Sequence, residues 1–144
     1  MHSGSDKFAV YPIVGRMTGM RCHVKTAGTS WLEAVRAIAV VNPVLYRVIH
    51  TKALENVESA LKLYRVSADF SRIPPLNDIY DEDLPKLLDQ NEARQLLHIC
   101  YGAILEDHSI KPMLLSSLHE HEEYYHELIK AHFEKHLSLL GSQT

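Results

Sequence analysis

Apolar residues recur at helical spacing along most of the chain. Residues 31–41 predict a first helix, which Asn42 and Pro43 end. The same pair is suited to begin the next helix, with asparagine as the N-cap and proline at the first helical position. The second helix carries one apolar stripe, which predicts a buried face rather than a cofactor site. The stripe consists of Leu45, Ile49, Ala53, Val57, Leu61 and Tyr64.

The middle of the chain is predicted to be an extended connector followed by a short helix. Residues 71–77 contain Pro74 and Pro75, which exclude helix and push the preceding residues toward extended conformations. Residues 81–88 predict the short helix, and residues 89–92 resemble a second helix cap.

Two further helices are predicted toward the end of the chain. Residues 93–105 are apolar on most sides, so this segment must be buried. A short strand over residues 97–101 is the alternative, although the length of the apolar run favours helix. After a break at Lys111 and Pro112, residues 113–140 predict one long amphipathic helix. Gly141 is expected to close it.

Strand patterns are confined to the beginning of the chain. Apolar and polar residues alternate over residues 22–25, which predicts a short strand with His23 near its carboxyl end. The small residues 26–29 form a turn, and Ser30 with Glu33 matches a capping box at the start of the first helix.

A second segment predicts the same order of strand, turn and helix. In it, His2 lies at a strand end, residues 3–5 form the turn and Asp6 is an N-cap. Only one residue precedes His2. In α/β proteins, ligands bind outside the carboxyl ends of parallel strands, where Lys25 and Thr26 would lie. We therefore predict an α/β fold that is mainly α-helical here, with one or two short strands.

Composition and charge restrict the classes of function. With 144 residues, 46% of them hydrophobic, residues 1–144 are expected to form a single domain. The net charge is -3 and the charges are interspersed, so nothing supports nucleic-acid binding. No apolar run approaches the ~18 residues that span a bilayer, and the N-terminus lacks a signal-peptide pattern. We expect a cytoplasmic protein without membrane contact.

The two cysteines, Cys22 and Cys100, each lie within an apolar run. Buried free thiols are the favoured interpretation, since the sequence lacks a cysteine-rich framework. A disulfide or a zinc pair is the alternative.

Ten histidines raise the question of a metal site. His132 and His136 are four residues apart and share a helix face, as two ligands of a helical metal site would. No glutamate directly follows the first histidine, as a zincin motif requires, so a solvated face is favoured. The same interpretation applies to the other histidines of this helix, His119, His121 and His126.

Three histidines elsewhere have simpler interpretations. His50 and His108 are isolated, and each is expected to be on the surface or satisfied by a hydrogen bond. His98 shares a helix face with Arg94 and Tyr101. We interpret it as a hydrogen-bonded core histidine, with a substrate contact as the alternative.

His2 and His23 differ from the others, because each lies in a polar, glycine-containing junction between a predicted strand and a loop. Such a junction suits a divalent ion held by imidazoles and completed by water or substrate oxygens. These two residues are the candidate metal ligands.

The segments that contain these histidines resemble the C-terminal third of the tagaturonate epimerase family, metal-dependent sugar-acid epimerases of bacterial hexuronate catabolism. The first reads HSGSDKFAVY from His2, and the second reads HVKTAGTSWLEAVR from His23. Further matching stretches follow in the same order as in that family: NPVLYR, ALENVESALKLY, RIPPL and DQNEARQLLHICYGAIL.

The resemblance implies epimerisation of a keto sugar acid, such as tagaturonate to fructuronate, in a (β/α) TIM-barrel-like fold whose body precedes this region. It also implies a divalent metal ion, with Zn, Mn, Fe or Ni possible, bound by His2 and His23. The residues expected to hold the substrate are Asp6, Lys7, Lys25 and Thr26. Alternatively, Asp6 only caps a helix and Lys7 is only solvated. No general acid or base is assigned, because no second acidic strand-end motif is present.

Two strands cannot close a parallel barrel, so the apolar helices need other cover. A homo-oligomer, an upstream barrel fragment on another chain, or rearrangement into a helical bundle would supply it. The alternative function is therefore a non-catalytic helical oligomeric module, either a truncated relic or one subunit of a split enzyme.

Overall fold

The computed structural model describes residues 8–141, and this range contains seven α-helices and three short 3-10 helices. The α-helices are α1 Tyr11–Thr18, α2 Ala27–Val41, α3 Pro43–Leu61, α4 Asn91–Ile99, α5 Tyr101–Glu106, α6 Ile110–Glu120 and α7 Glu122–Leu140. The 3-10 helices are Phe70–Arg72, Leu76–Asp78 and Asp81–Asp89.

The core forms around α2 and α3, which the other elements surround. Helices α4, α5 and α6 pack on α3, while α7 and the 3-10 helix Asp81–Asp89 pack on α2. Burial of each large aliphatic side chain contributes about 1.5–3 kcal/mol. The fully buried aliphatic residues include Val35, Ile38, Leu45, Ile49, Leu84, Leu88, Leu96, Leu97 and Ile104.

Asn42 joins α2 to α3 in the way that the sequence predicted. Its side-chain oxygen accepts a hydrogen bond from the Leu45 N–H at 3.1 Å, and Pro43 occupies the first helical position. The Asn42 side-chain amide also donates to Ser117 Oγ at 3.0 Å. One residue therefore caps α3 and ties it to α6.

The apolar stripe of α3 is buried only along its first half. Leu45, Ile49 and Ala53 are buried, whereas Leu61 and Tyr64 are exposed. Since α3 ends at Leu61, Tyr64 lies beyond the helix and no longer follows the stripe. The prediction of one continuous buried stripe was wrong in that part.

The mainly helical character predicted for this part of the chain is confirmed, but the described residues contain no β-strand, so the strand predicted over residues 22–25 was wrong. Residues 21–24 are irregular, and Lys25 forms only an isolated β-bridge. A four-residue alternation specifies a strand only when a neighbouring strand pairs with it along its length. The strand predicted to end at His2 lies outside the described residues.

Helix α2 begins at Ala27, four residues before the predicted start. The predicted capping box is therefore wrong. The N-cap residue of α2 is Thr26. Ser30 lies inside the helix, where its hydroxyl donates to the Thr26 carbonyl oxygen at 3.1 Å. Glu33 is left available for other partners.

The end of the chain differs from the single helix predicted over residues 113–140. Helix α6 already begins at Ile110, because a proline is tolerated in the first turn of a helix. The chain then leaves helical geometry at His121, whose φ and ψ are -119° and 36°. This break lets α6 pack on α3 and α5 while α7 packs on α1 and α2. Gly141 ends α7 with φ 93°, as predicted.

Helix rather than strand is confirmed for residues 97–101, with a break at Cys100 between α4 and α5. None of the helices within residues 8–141 combines the length and apolar character required to cross a membrane.

Candidate functional site

The structure places three of the predicted site residues in one surface segment between α1 and α2. His23 and Lys25 are exposed, and Thr26 is half-buried at the start of α2. The remaining candidates, His2, Asp6 and Lys7, lie outside the described residues.

A tight turn leads from α1 into this segment. Gly19 and Met20 both adopt left-handed conformations, with φ 56° and 64°. The Met20 N–H donates to the Gly15 carbonyl oxygen at 2.9 Å, which closes the end of α1. The segment from residue 21 to Thr26 therefore has a fixed turn at one end and a helix at the other.

Two histidines from distant helices contact the first turn of α2. His132 of α7 has its Nε2 atom 3.0 Å from the Thr29 hydroxyl oxygen. His98 of α4 has its Nδ1 atom 3.3 Å from the Gly28 carbonyl oxygen. A Cβ atom at position 28 would collide with the His98 ring, so the contact requires glycine there.

Glu33 is the centre of a mostly buried charged cluster beside this turn. Its carboxylate lies 3.3 Å from Arg36 Nε and 3.9 Å from Arg94 Nη1. The Nδ1 atom of His132 is also 3.9 Å from Glu33 Oε1. A carboxylate removed from water in this way needs such partners, because burying an unpaired charge costs several kcal/mol.

The two arginines are held by further contacts. Arg36 Nη2 donates to Asp89 Oδ1 at 2.8 Å, and Arg94 Nη1 donates to the Leu88 carbonyl oxygen at 2.9 Å. An open cleft of about 510 Å³ runs over this cluster and is also lined by Lys135. Because the guanidinium groups already bind protein oxygens, we interpret the cluster as a structural link among α2, α4 and α7.

His132 and His136 are buried, with 7% and 3% of their surface exposed, so the predicted solvated face was wrong for them. Their ring centroids are 4.4 Å apart, and the His136 ring packs against Phe8 and Tyr11, each at 5.1 Å. The reason is tertiary: α1 and α2 cover this face of α7. The exposed positions of His108, His119, His121 and His126 are as predicted.

His50 and the cysteines lie apart from this region. The His50 ring is fully buried, and its Nδ1 atom is 3.1 Å from the Tyr46 hydroxyl oxygen. Cys22 and Cys100 are both free, as favoured from the sequence, although only Cys100 is buried. Burial raises the pKa of the Cys100 thiol to about 11, so it remains protonated near neutral pH.

Within residues 8–141, no three His, Cys, Asp or Glu side chains come close enough to hold a metal ion. Of the two predicted metal ligands, His23 lies within the described residues, on an exposed segment, and His2 lies outside them. His98, by contrast, contacts a backbone carbonyl oxygen as its interpretation as a hydrogen-bonded residue predicts, but the side chain is half-buried rather than part of the buried core.

Comparison with known proteins decides the family. A sequence profile of tagaturonate epimerase (UxaE) matches residues 1–140. The chain belongs to the tagaturonate epimerase family. The tagaturonate/fructuronate epimerase of Thermotoga maritima is 46% identical over 140 residues, which are 97% of this chain and 29% of that protein.

Crystal structures of a family member have the same arrangement of helices. The native structure of fructuronate-tagaturonate epimerase UxaE from Cohnella laeviribosi is 47% identical with a TM-score of 0.92, covering 97% of this chain and 30% of that one. Its complex with one glycerol gives 48% identity and the same TM-score, over 99% and 30%. This chain thus spans less than a third of the length of these relatives. The resemblance drawn from the histidine segments is confirmed.

Proposed function

We propose that this chain is the C-terminal part of a tagaturonate/fructuronate epimerase, a metal-dependent enzyme that epimerises a keto sugar acid. The family match over residues 1–140 carries this proposal. We place the complete active site on a TIM-barrel-like body, to which this chain contributes the segments around His2 and His23. A cytoplasmic location is part of the same proposal, since hexuronate catabolism is a bacterial metabolic process.

His2 and His23 are proposed as ligands of one divalent ion. An imidazole suits Zn, Fe or Ni, whereas Mn would need more oxygen donors, and the His23 side chain is exposed. When bound, such an ion would polarise adjacent carbonyl and hydroxyl oxygens of the substrate and so acidify the C–H bond of the carbon that bears the hydroxyl group. The remaining ligands are proposed to come from outside residues 8–141.

The substrate is proposed to bind beside these ligands. The exposed ammonium of Lys25 and the Thr26 hydroxyl match the carboxylate and hydroxyl groups of a sugar acid, and Asp6 and Lys7 are proposed to complete the contacts. The general acid and base are proposed to lie in the barrel body, so that they flank the substrate from the opposite side.

An upstream barrel fragment or a second copy is proposed to cover the exposed apolar side chains of the α1 region. Ile13 and Met17 of α1 and Met20 after it are exposed, with Met17 at 82%. Such exposure on one short helix and its turn is typical of a surface that packs against another polypeptide.

Metal analysis of the purified chain tests the proposal. We expect a bound divalent ion that is lost in the His2→Ala and His23→Ala variants and retained in His126→Ala, which changes an exposed histidine of α7. An epimerisation assay of the chain mixed with an upstream barrel fragment of a homologous enzyme should then show activity. Metal content unaffected by His2→Ala and His23→Ala would refute the ligand assignment.

A non-catalytic helical module remains the second candidate, because helices α2 to α6 bury a core of their own. It predicts a metal-free helical oligomer that stays inactive in the mixture. Size-exclusion chromatography with light scattering, together with the metal analysis, separates the two functions.

A further inference from the structure

The first turn of α2 is held from two sides by side chains that are far away in sequence. His98 contacts the carbonyl oxygen of Gly28, and His132 contacts the hydroxyl of Thr29, across sequence separations of 70 and 103 residues. We propose that His98 and His132 are positioning residues that fix the segment bearing His23, Lys25 and Thr26. This inference rests on the function proposed above.

The carbonyl oxygen of Thr26 connects the first turn of α2 to the segment that carries His23. It accepts hydrogen bonds from the Thr29 N–H at 3.0 Å and the Ser30 N–H at 2.9 Å. The hydroxyls of the same two residues donate to it at 3.0 and 3.1 Å. Thr26 is thus bound to the turn by four donors, and any movement of the turn moves Thr26 with it.

The hydroxyl of Thr29 links the Thr26 carbonyl oxygen to α7. A threonine hydroxyl has one proton, and when Thr29 donates it to the Thr26 carbonyl oxygen, the Thr29 oxygen accepts from Nε2 of His132 at 3.0 Å. Its Nδ1 atom faces the Glu33 carboxylate, which is itself held by Arg36.

On the opposite side, the carbonyl oxygen of Gly28 accepts from the Nδ1 atom of His98. No side chain at position 28 separates the ring from the backbone, so the distance is set by direct packing. Arg94, one turn before His98 on α4, lies 3.9 Å from Glu33. Helices α4 and α7 therefore both contact the Glu33 carboxylate of α2.

Positioning matters here because residues 21–24 have no regular structure to hold them. The turn at Met20 and the first turn of α2 fix the two ends of the segment that carries His23. A metal site needs its ligands within a few tenths of an ångström of their bonding distances, so a loose turn would weaken ion binding without removing a ligand.

The test uses the whole chain, with Ni²⁺ as the probe. His132→Leu and Thr29→Val, which keeps the shape of Thr29 but lacks its hydroxyl, should each weaken Ni²⁺ affinity about 10- to 100-fold by isothermal titration calorimetry. Hydrogen exchange at the Thr29 and Ser30 amides should rise about tenfold relative to α3. The conservative variants His132→Gln and Thr29→Ser should recover most of both properties. His126→Leu, on the exposed side of α7, is the matched control.

For His98, the two variants to compare are His98→Leu and His98→Asn. His98→Leu should weaken Ni²⁺ binding, and His98→Asn should recover most of it, since an asparagine amide can replace Nδ1 as the donor. Suppose that the wild-type chain binds Ni²⁺ through His2 and His23 and that His98→Leu, His132→Leu and Thr29→Val bind it equally well. The positioning role is then refuted, while the proposed function stands. Equal losses in the conservative variants would also refute it, because they would indicate a general loss of packing. If the wild-type chain does not bind Ni²⁺ through these histidines, the proposed function fails first and the inference fails with it.

Discussion

Gly15 of α1 lies directly against the main-chain carbonyl group of Leu140 at the end of α7. A Cβ atom at position 15 would overlap the carbonyl oxygen, so the two helices approach as closely as their backbones permit. The contact holds α1, which leads into the segment that carries His23, against the end of α7.

Substitution of Gly15 should therefore destabilise the protein. Gly15→Ala forces α1 away from α7, and we expect the free energy of unfolding to fall by about 1–3 kcal/mol in urea denaturation. Gly102→Ala is the control, because within residues 8–141 no atom beyond the chain neighbours and the backbone of the same helix lies within 4 Å of a Cβ atom there. As an alanine replaces glycine inside α5, this variant should gain about 0.5–1 kcal/mol. Equal effects of the two substitutions would contradict the close approach.

Met20 should be a position where glycine is favourable. Its φ of 64° is costly for a residue with a Cβ atom, so Met20→Gly should raise the free energy of unfolding by up to about 1 kcal/mol. Met17→Gly is the contrasting variant, since the Met17 side chain is also exposed (82%, against 48% for Met20) but lies within α1. It should lose about 1 kcal/mol. Thermal denaturation measures the difference in stability between the two variants. If Met20→Gly does not stabilise the protein, the left-handed conformation of Met20 is contradicted.

Burial of His50 should make stability depend on pH. Desolvation lowers the pKa of His50 from 6.5 to about 4, and its Nε2 atom has no hydrogen-bond partner among the described residues. Below pH 6.5 the unfolded chain therefore binds a proton that the folded chain does not. Stability should fall as the pH decreases from 6.5 toward 4, by roughly 3 kcal/mol in total.

The double variant Tyr46→Phe with His50→Leu removes both partners of the buried hydrogen bond. It should flatten this part of the pH profile, measured by urea denaturation at a series of pH values. His126→Ala should leave the profile as it is, since that side chain is exposed. A double variant with the same pH slope as the wild type would assign the effect to other groups.

Loss of the Glu33 carboxylate should be costly. In Glu33→Ala the guanidinium groups of Arg36 and Arg94 lose their shared partner while remaining largely covered. We expect destabilisation of about 2–4 kcal/mol, against at most about 0.5 kcal/mol for the exposed Glu55→Ala. Urea denaturation at neutral pH measures both changes in the free energy of unfolding. A small effect of Glu33→Ala would mean that water solvates the two guanidinium groups in place of the carboxylate.

Local patterns in the sequence predicted the elements that local interactions determine. The cap at Asn42, the proline that follows it and the glycine that ends α7 act within a few residues, and each is found in the structure. The strand over residues 22–25 was predicted wrongly because its stability would depend on a partner strand, which a short alternation does not specify. The break at His121 likewise reflects the packing of α7 on α1 and α2.

The candidate site could be predicted in part. His23, Lys25 and Thr26 lie together because they are neighbours in the sequence, and the family resemblance directed attention to them. The contacts of His98 and His132 depend on residues that are 70 and 103 positions away. Spacing along α7 placed His132 and His136 on one face, but it could not indicate that α1 and α2 cover that face.

The length of the chain between Thr29 and His132 has a consequence for the order of folding. Closing a loop of that size costs more conformational entropy than forming the contacts between α2 and α3, so docking of α7 is expected to come late. A folding intermediate arrested before that step would already have most of its helical circular dichroism signal. It would nevertheless lack the contact between Thr29 and His132, so recovery of the helical signal and recovery of the proposed ion binding should follow different time courses during refolding.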